Sequence, residues 1–149
     1  MSGQRIVVGI DGSETARQAL AWAGEEAKLR SAELEVVLVW SYPYYVDPMG
    51  GSLVMPSMVE ATEQRERATL DAEILAVLGE KPPMRVTRTA RCGSTAPELL
   101  DAAKGAVLLV VGSRGRGGFM SMVLGSTSMH CVQHSPCPVV VIPHRSDDE

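Results

Sequence analysis

Aromatic side chains are scarce in this chain: one Phe, three Tyr and two Trp among 149 residues. Hydrophobic residues still make up 45% of it, so the core has to be aliphatic, with Ala, Val and Leu packing helices onto a sheet. Cysteine is sparse too. Cys92, Cys131 and Cys137 form an odd, dispersed set, which excludes a disulfide framework and implies a reduced, cytoplasmic setting. No apolar run approaches the roughly 20 residues of a membrane helix. The first such run, Arg5–Ile10, meets Asp11 too soon for the core of a signal peptide. An excess of basic charge is also missing. The net charge of -4 argues against a general binder of nucleic acid or of anionic membranes, so any anion site has to be local. The length suits one domain over residues 1–149, with 143–149 as a frayed tail.

The chain alternates between two periodicities. A short β-branched run, Arg5–Ile10, reads as the first strand, and Asp11-Gly12-Ser13 as its turn, with Ser13 as helix N-cap. Ala16, Ala19, Leu20, Ala23 and Ala27 then fall at helical spacing, fading near Arg30. Residues 34–40 are a second apolar run. Residues 42–57, punctuated by Pro43, Pro48, Gly50, Gly51 and Pro56, form a long connection of the functional or mobile kind. A helix over 57–78 carries Leu70, Ile74, Val77 and Leu78 on one face, and Glu60, Glu63, Glu66 and Arg67 on a solvated one. Residues 85–90 are the third strand. Thr95-Ala96-Pro97-Glu98 has the form of a capping box. Residues 107–111 are the fourth strand, 126–134 the last helix and 139–142 the last strand. Strict β-α alternation implies an α/β fold: a five-stranded parallel sheet with helices on both faces, Rossmann-like. Ligands in such sheets sit beyond the carboxyl ends of the strands, where the winding reverses.

The stretch after the fourth strand is the most informative. Val110-Val111 runs into Gly112-Ser113-Arg114-Gly115-Arg116-Gly117-Gly118, and Gly125-Ser126-Thr127 opens a helix shortly afterwards. Glycines there allow backbone to approach a ligand closely or to take conformations that a Cβ forbids. A helix N-terminus behind them favours phosphate. A Walker A loop is excluded, because Gly118 stands where lysine is required after Gly112 and Gly117. A dinucleotide fingerprint is excluded as well, because the first turn reads Gly9-Ile10-Asp11-Gly12-Ser13. With strands one and four beside the switch point, Gly9 to Ser13 and Gly112 to Gly118 face one crevice.

What does fit is Gly112-x-x-Gly115, nine residues, then Gly125-Ser126. This spacing resembles the ATP-binding signature of the universal stress protein family. The likeness extends to the opening Ile6-Val7-Val8-Gly9-Ile10-Asp11-Gly12-Ser13 and the closing Cys137-Pro138-Val139-Val140-Val141-Ile142. The resemblance implies a nucleotide-dependent regulatory protein of the stress response, with ATP as ligand and a homodimer formed through strand 139–142. It implies that Asp11 contacts the adenosine part and that backbone near Val39 lines the adenine pocket. Gly112, Arg114 and Gly115 would wrap ribose and phosphates, and Gly125, Ser126 and Thr127 the phosphate tail. The full expected contact set adds Gly9, Val111, Ser113, Arg116, Gly117 and Gly118. The chain departs from the family at Gly105-Ala106, where an acidic residue is common.

Several readings stay open at this level. Asp11 can accept from ribose hydroxyls, cap the first helix, or hold a metal through phosphate, so Mg²⁺ beside ATP is undecided. A slow ATPase is the enzymatic alternative, although no residue stands out as a base for water. A nucleotide-independent dimeric interaction module is the third. The choice among ATP, AMP and cyclic AMP, and the downstream protein partner, are not encoded legibly. His130, Cys131, His134 and Cys137 cluster in sequence, but C-x5-C is not a zinc spacing. The cysteines therefore read as small buried hydrophobes, and no metal is assigned. Met49, Met55, Met58, Met120 and Met122 flank the irregular segments as loop anchors or as adaptable packing over a ligand or partner.

Overall fold

The computed structural model describes residues 3–42, 45–46, 48–53, 55–115 and 124–144. Its elements are β1 (Arg5–Ile10), α1 (Glu14–Arg30), β2 (Glu33–Trp40), β3 (Tyr45–Val46), β4 (Ser52–Leu53) and α2 (Pro56–Leu78), then β5 (Val86–Cys92), α3 (Thr95–Ala102), β6 (Leu108–Gly112), α4 (Ser126–His134) and β7 (Val139–Ile142). The main sheet has the order β5-β2-β1-β6-β7. Every pairing in it is parallel, with Ile6 opposite both Leu34 and Leu108. The α/β expectation is met, and β1 sits at the centre, where the winding reverses.

Strand periodicity sorts the core into two layers. Ile6, Val8, Ile10, Leu34, Val36 and Leu38 pack on Ala16, Ala19, Leu20, Ala23 and Ala27 of α1 and on Leu70 and Ile74 of α2. Val7, Val37, Leu109 and Val111 face the other way, onto Ala96, Leu99 and Ala102 of α3 and Cys131 of α4. Alanine along the inner side of α1 lets that helix lie close to the sheet without large side chains between them. Such two-sided burial explains why the inner strands read as unbroken apolar runs.

Three details differ from the sequence reading. The 42–57 connection holds a two-residue hairpin, β3 with β4, antiparallel and with Tyr45 opposite Leu53; two residues per strand are too few to show a period. The capping box at Thr95 does not form. Ser94 is the N-cap of α3 and makes no side-chain cap bond, while Glu98 pairs instead with Arg91 at 3.4 Å. Glu66 is not fully solvated but half-buried. Among the described residues no helix is long and apolar enough to cross a membrane.

Candidate functional site

The carboxyl ends of β1, β2 and β6 open into one cavity of about 740 Å³. β1 delivers Asp11 through a tight turn in which Gly12 takes a φ of 84°, a left-handed conformation that suits glycine. The Ser13 N–H donates to Asp11 Oδ1 at 2.9 Å, and Ser13 Oγ accepts from the Ala16 N–H at 3.2 Å. Asp11 and Ser13 thus build the start of α1 as well as the wall of the cavity. Of the three roles weighed for Asp11, the helix-start turn is the one seen directly, and it leaves the residue in the cavity wall.

β6 delivers the glycines. Gly112 lies against α1 so closely that a Cβ would sit 2.7 Å from Thr15 Cγ2. A Cβ on Gly115 would sit 2.8 Å from Asp11 Oδ2, so the carboxylate and the glycine loop meet across the crevice. Among the described residues the positive-φ glycines are Gly12, Gly50, Gly79, Gly93 and Gly105, not Gly112 or Gly115. At Gly112 close approach to Thr15, not an unusual φ, demands glycine, whereas at Gly115 the close neighbour is the movable end of the Asp11 side chain.

Ser113 joins three segments. Its N–H donates to the Ile142 carbonyl at 2.8 Å, and its carbonyl accepts from the Gly125 N–H at 2.6 Å. The same carbonyl accepts from Ser128 Oγ at 2.9 Å, while Ser113 Oγ accepts from the His144 N–H at 3.0 Å. The start of the glycine loop, its end and the strand β7 are held together there. Ser113 is buried, behind the cavity wall and not in it. Gly125 is the N-cap of α4, and among the described residues no side chain caps that helix. Its first turn, Ser126 and Thr127, lines the cavity. A helix start without a side-chain cap presents N–H groups and a positive dipole end to whatever lies in front of it.

Of the residues expected at the site, the cavity wall holds Gly9, Asp11, Val39, Val111, Gly112, Arg114, Gly115, Gly125, Ser126 and Thr127. Arg116, Gly117 and Gly118 lie outside the described residues. The wall also holds Trp40, Ser41, Glu66, Gly93, Thr95 and Leu99, which sequence reasoning missed. For Glu66 a signal existed: it precedes Leu70, Glu73, Ile74 and Val77 at helical spacing, on the inward stripe of α2. Glu73 is itself buried on that stripe, where it takes Arg17 Nε at 2.8 Å and Nη2 at 2.9 Å. That bond holds the Arg17 guanidinium above its ordinary pKa. It also ties α2 to α1 and keeps Glu66 over the cavity. At the β2 end, Trp40 packs edge-on against Tyr42 with centroids 5.7 Å apart. A hydrogen bond with Cys92 is the main reason the Tyr42 phenol is raised above its ordinary value.

The universal stress protein family model matches residues 3–143. The chain belongs to that family. A universal stress protein of Mycolicibacterium smegmatis is 38% identical over 141 residues, which are 94% of this chain and 46% of that protein. The chain therefore spans about half the length of the curated relatives it matches. Among solved structures, the universal stress protein UspA from Lactobacillus plantarum superposes with a TM-score of 0.77 at 24% identity, covering 95% of this chain and 99% of that one. A universal stress protein in complex with cAMP superposes at 0.59 with 22% identity, covering 95% of this chain and 98% of that one. Within the family fold, the cavity lies at the switch point on either side of β1.

Proposed function

We propose that the cavity binds an adenine nucleotide, with ATP as its ligand, and that the chain acts as a nucleotide-dependent regulatory protein of the stress response. The observation that carries this reading is the pairing of Asp11 with an uncapped helix start across one crevice. The α4 N-terminus and the glycine backbone at Gly112 and Gly115 supply N–H groups and close approach for phosphates. Arg114 adds a cation on the same wall. Asp11, acceptor-only when ionised, suits ribose hydroxyls. Val39 and Trp40, at the end of β2, offer backbone and an apolar face for the base. The cAMP held by a relative of the same fold supports the adenine class.

The test is equilibrium dialysis of the whole chain against ATP, AMP and cyclic AMP, with and without Mg²⁺, beside Asp11→Ala. Saturable ATP binding that weakens at least tenfold in Asp11→Ala supports the reading. No adenine-nucleotide binding by the wild-type chain overturns it. Metal-dependent phosphate release above background would convert the binder into an ATPase; the two carboxylates in the wall, Asp11 and Glu66, are the only candidate bases among the described lining residues. We also infer a cytoplasmic homodimer formed along β7. That strand is aliphatic, half-buried and at the sheet edge, the kind of edge that proteins usually cover. A monomeric mass by light scattering at micromolar concentration would count against the dimer.

A further inference from the structure

The four residues His130, Cys131, His134 and Cys137 do not act as one group. Cys131 is fully buried beneath α4, and Cys137 takes up Ser135 through its N–H at 3.2 Å. The two histidines turn the other way. They line a separate groove of about 350 Å³ between α3 and α4, whose apolar walls are Pro97, Leu100 and Pro136. Their rings lie side by side, with centroids 4.6 Å apart and planes tilted by 44°.

We propose that His130 and His134 form a surface chelate for one divalent transition metal ion of the Ni²⁺, Cu²⁺ or Zn²⁺ type. Imidazoles at i and i+4 on one helix face are a recurrent chelating pair, and imidazole nitrogen suits these three metals. Two imidazoles bound side by side at metal–nitrogen distances of about 2.1 Å have centroids roughly 5 Å apart. The observed separation already lies close to that, so small side-chain rotations suffice. The electrostatics of the position also favour a cation. His134 sits in the last turn of α4 and ends it, where the helix dipole is negative. The groove holds one charge of each sign, Asp101 and Lys104, already paired at 3.0 Å. The other Asp101 oxygen takes Arg91 at 2.8 Å. Neither oxygen is spare as a ligand, and among the described residues no third His, Cys, Asp or Glu completes a cluster. The remaining coordination positions go to water or to a donor brought by the metal's next carrier, so the site is open and exchangeable.

The site is independent of the nucleotide reading and is tested without nucleotide. Tag-free chain in chelator-free buffer is titrated with Ni²⁺ alone by calorimetry, beside His130→Ala, His134→Ala and the double substitution Val132→His with His134→Gln. That double variant keeps the number of imidazoles but puts them at i and i+2, which do not face each other. Positions 130, 132 and 134 are exposed, so the variants retain the fold, with circular dichroism as the check. One Ni²⁺ per wild-type chain, with affinity at least tenfold weaker in all three variants, upholds the proposal. No binding by the wild-type chain, or unchanged binding in the variants through the thiols of Cys92 or Cys137, overturns it. In the wild-type chain itself, Cu²⁺ should broaden the imidazole resonances of His130 and His134 first; broadening that starts elsewhere also overturns it.

Discussion

The steric argument at Gly112 can be tested apart from any ligand. In Gly112→Ala the new methyl lands 2.7 Å from Thr15 Cγ2 and 3.3 Å from the Thr15 carbonyl carbon. Carbon atoms in good contact stand about 3.5–4.0 Å apart, so something must give by about 1 Å. Neither side is soft. Gly112 is opposite Ile142 in the ladder with β7. Thr15 is buried and β-branched, with its Oγ1 at 3.0 Å from His144 Nδ1. Overpacking of this kind costs about 1–3 kcal/mol, which lowers Tm by roughly 2–12 °C in a domain of this size. Thr15→Ser removes the clashing methyl and keeps the hydroxyl. Alone it costs about 1 kcal/mol for the lost buried carbon; combined with Gly112→Ala it should return most of the loss. Urea unfolding of the four proteins gives the coupling energy. A wild-type midpoint for Gly112→Ala, or losses that simply add in the double variant, would refute the reasoning.

Gly115→Ala should behave differently from Gly112→Ala. Its methyl meets Asp11 Oδ2 at 2.8 Å, a terminal oxygen that can swing aside, so Tm should hold while ATP affinity in dialysis falls about tenfold; an unchanged affinity argues against Asp11 at the ligand. Burial pushes the Cys131 thiol from 9.0 up to about 11. Its contribution to stability is complete below pH 9.0 and fades as pH rises through about 11. At pH 8 a disulfide reagent should titrate Cys92 and Cys137 in the native chain and Cys131 only after unfolding. Asp101 is held below its ordinary 3.8, first by the hydrogen bond from Arg91 and then by Lys104. A lowered carboxyl stabilises the fold above its unfolded value and loses that effect as pH falls through the folded one. Asp101→Asn should therefore flatten the acid limb of stability below about pH 4, and identical acid limbs would exclude the ion pair as a contributor.

Legibility tracked the kind of force acting on each residue. Buried parallel strands leave continuous apolar runs, so β1, β2 and β6 are legible to within about a residue, and the half-buried edge strand β7 is legible from its Val/Ile run. The spacing Gly112-x-x-Gly115 to Gly125-Ser126 marks the crevice, although close packing excludes a side chain firmly only at Gly112, against Thr15. The β3–β4 hairpin was invisible, since two residues per strand cannot show alternation. Thr95 had the right neighbours for a capping box, yet Arg91 on β5 captured Glu98, a tertiary competitor that local spacing cannot reveal. Glu66 reads as solvated from its charge alone, but its position on α2 turns it to the cavity. It occupies the inward stripe of α2, and the Arg17–Glu73 pair holds that stripe in place.

Ser113 is where family resemblance and geometry lead to different expectations. The resemblance puts it in the ligand contact set, while its observed bonds put it behind the wall. Its N–H and carbonyl are engaged by Ile142, Gly125 and Ser128, and its hydroxyl accepts from the His144 N–H. Ser113→Ala removes only the hydroxyl. The backbone bonds that bring Gly112 and Gly125 together persist, so the phosphate-facing N–H groups stay where they are. The His144 N–H loses its acceptor near the surface, a change worth about 1 kcal/mol. The expected outcome is a slightly lower urea midpoint with ATP affinity within about threefold of wild type. If the serine hydroxyl instead touches the nucleotide, affinity falls by tenfold or more while the folded fraction is unchanged. That result would move Ser113 from behind the site into it.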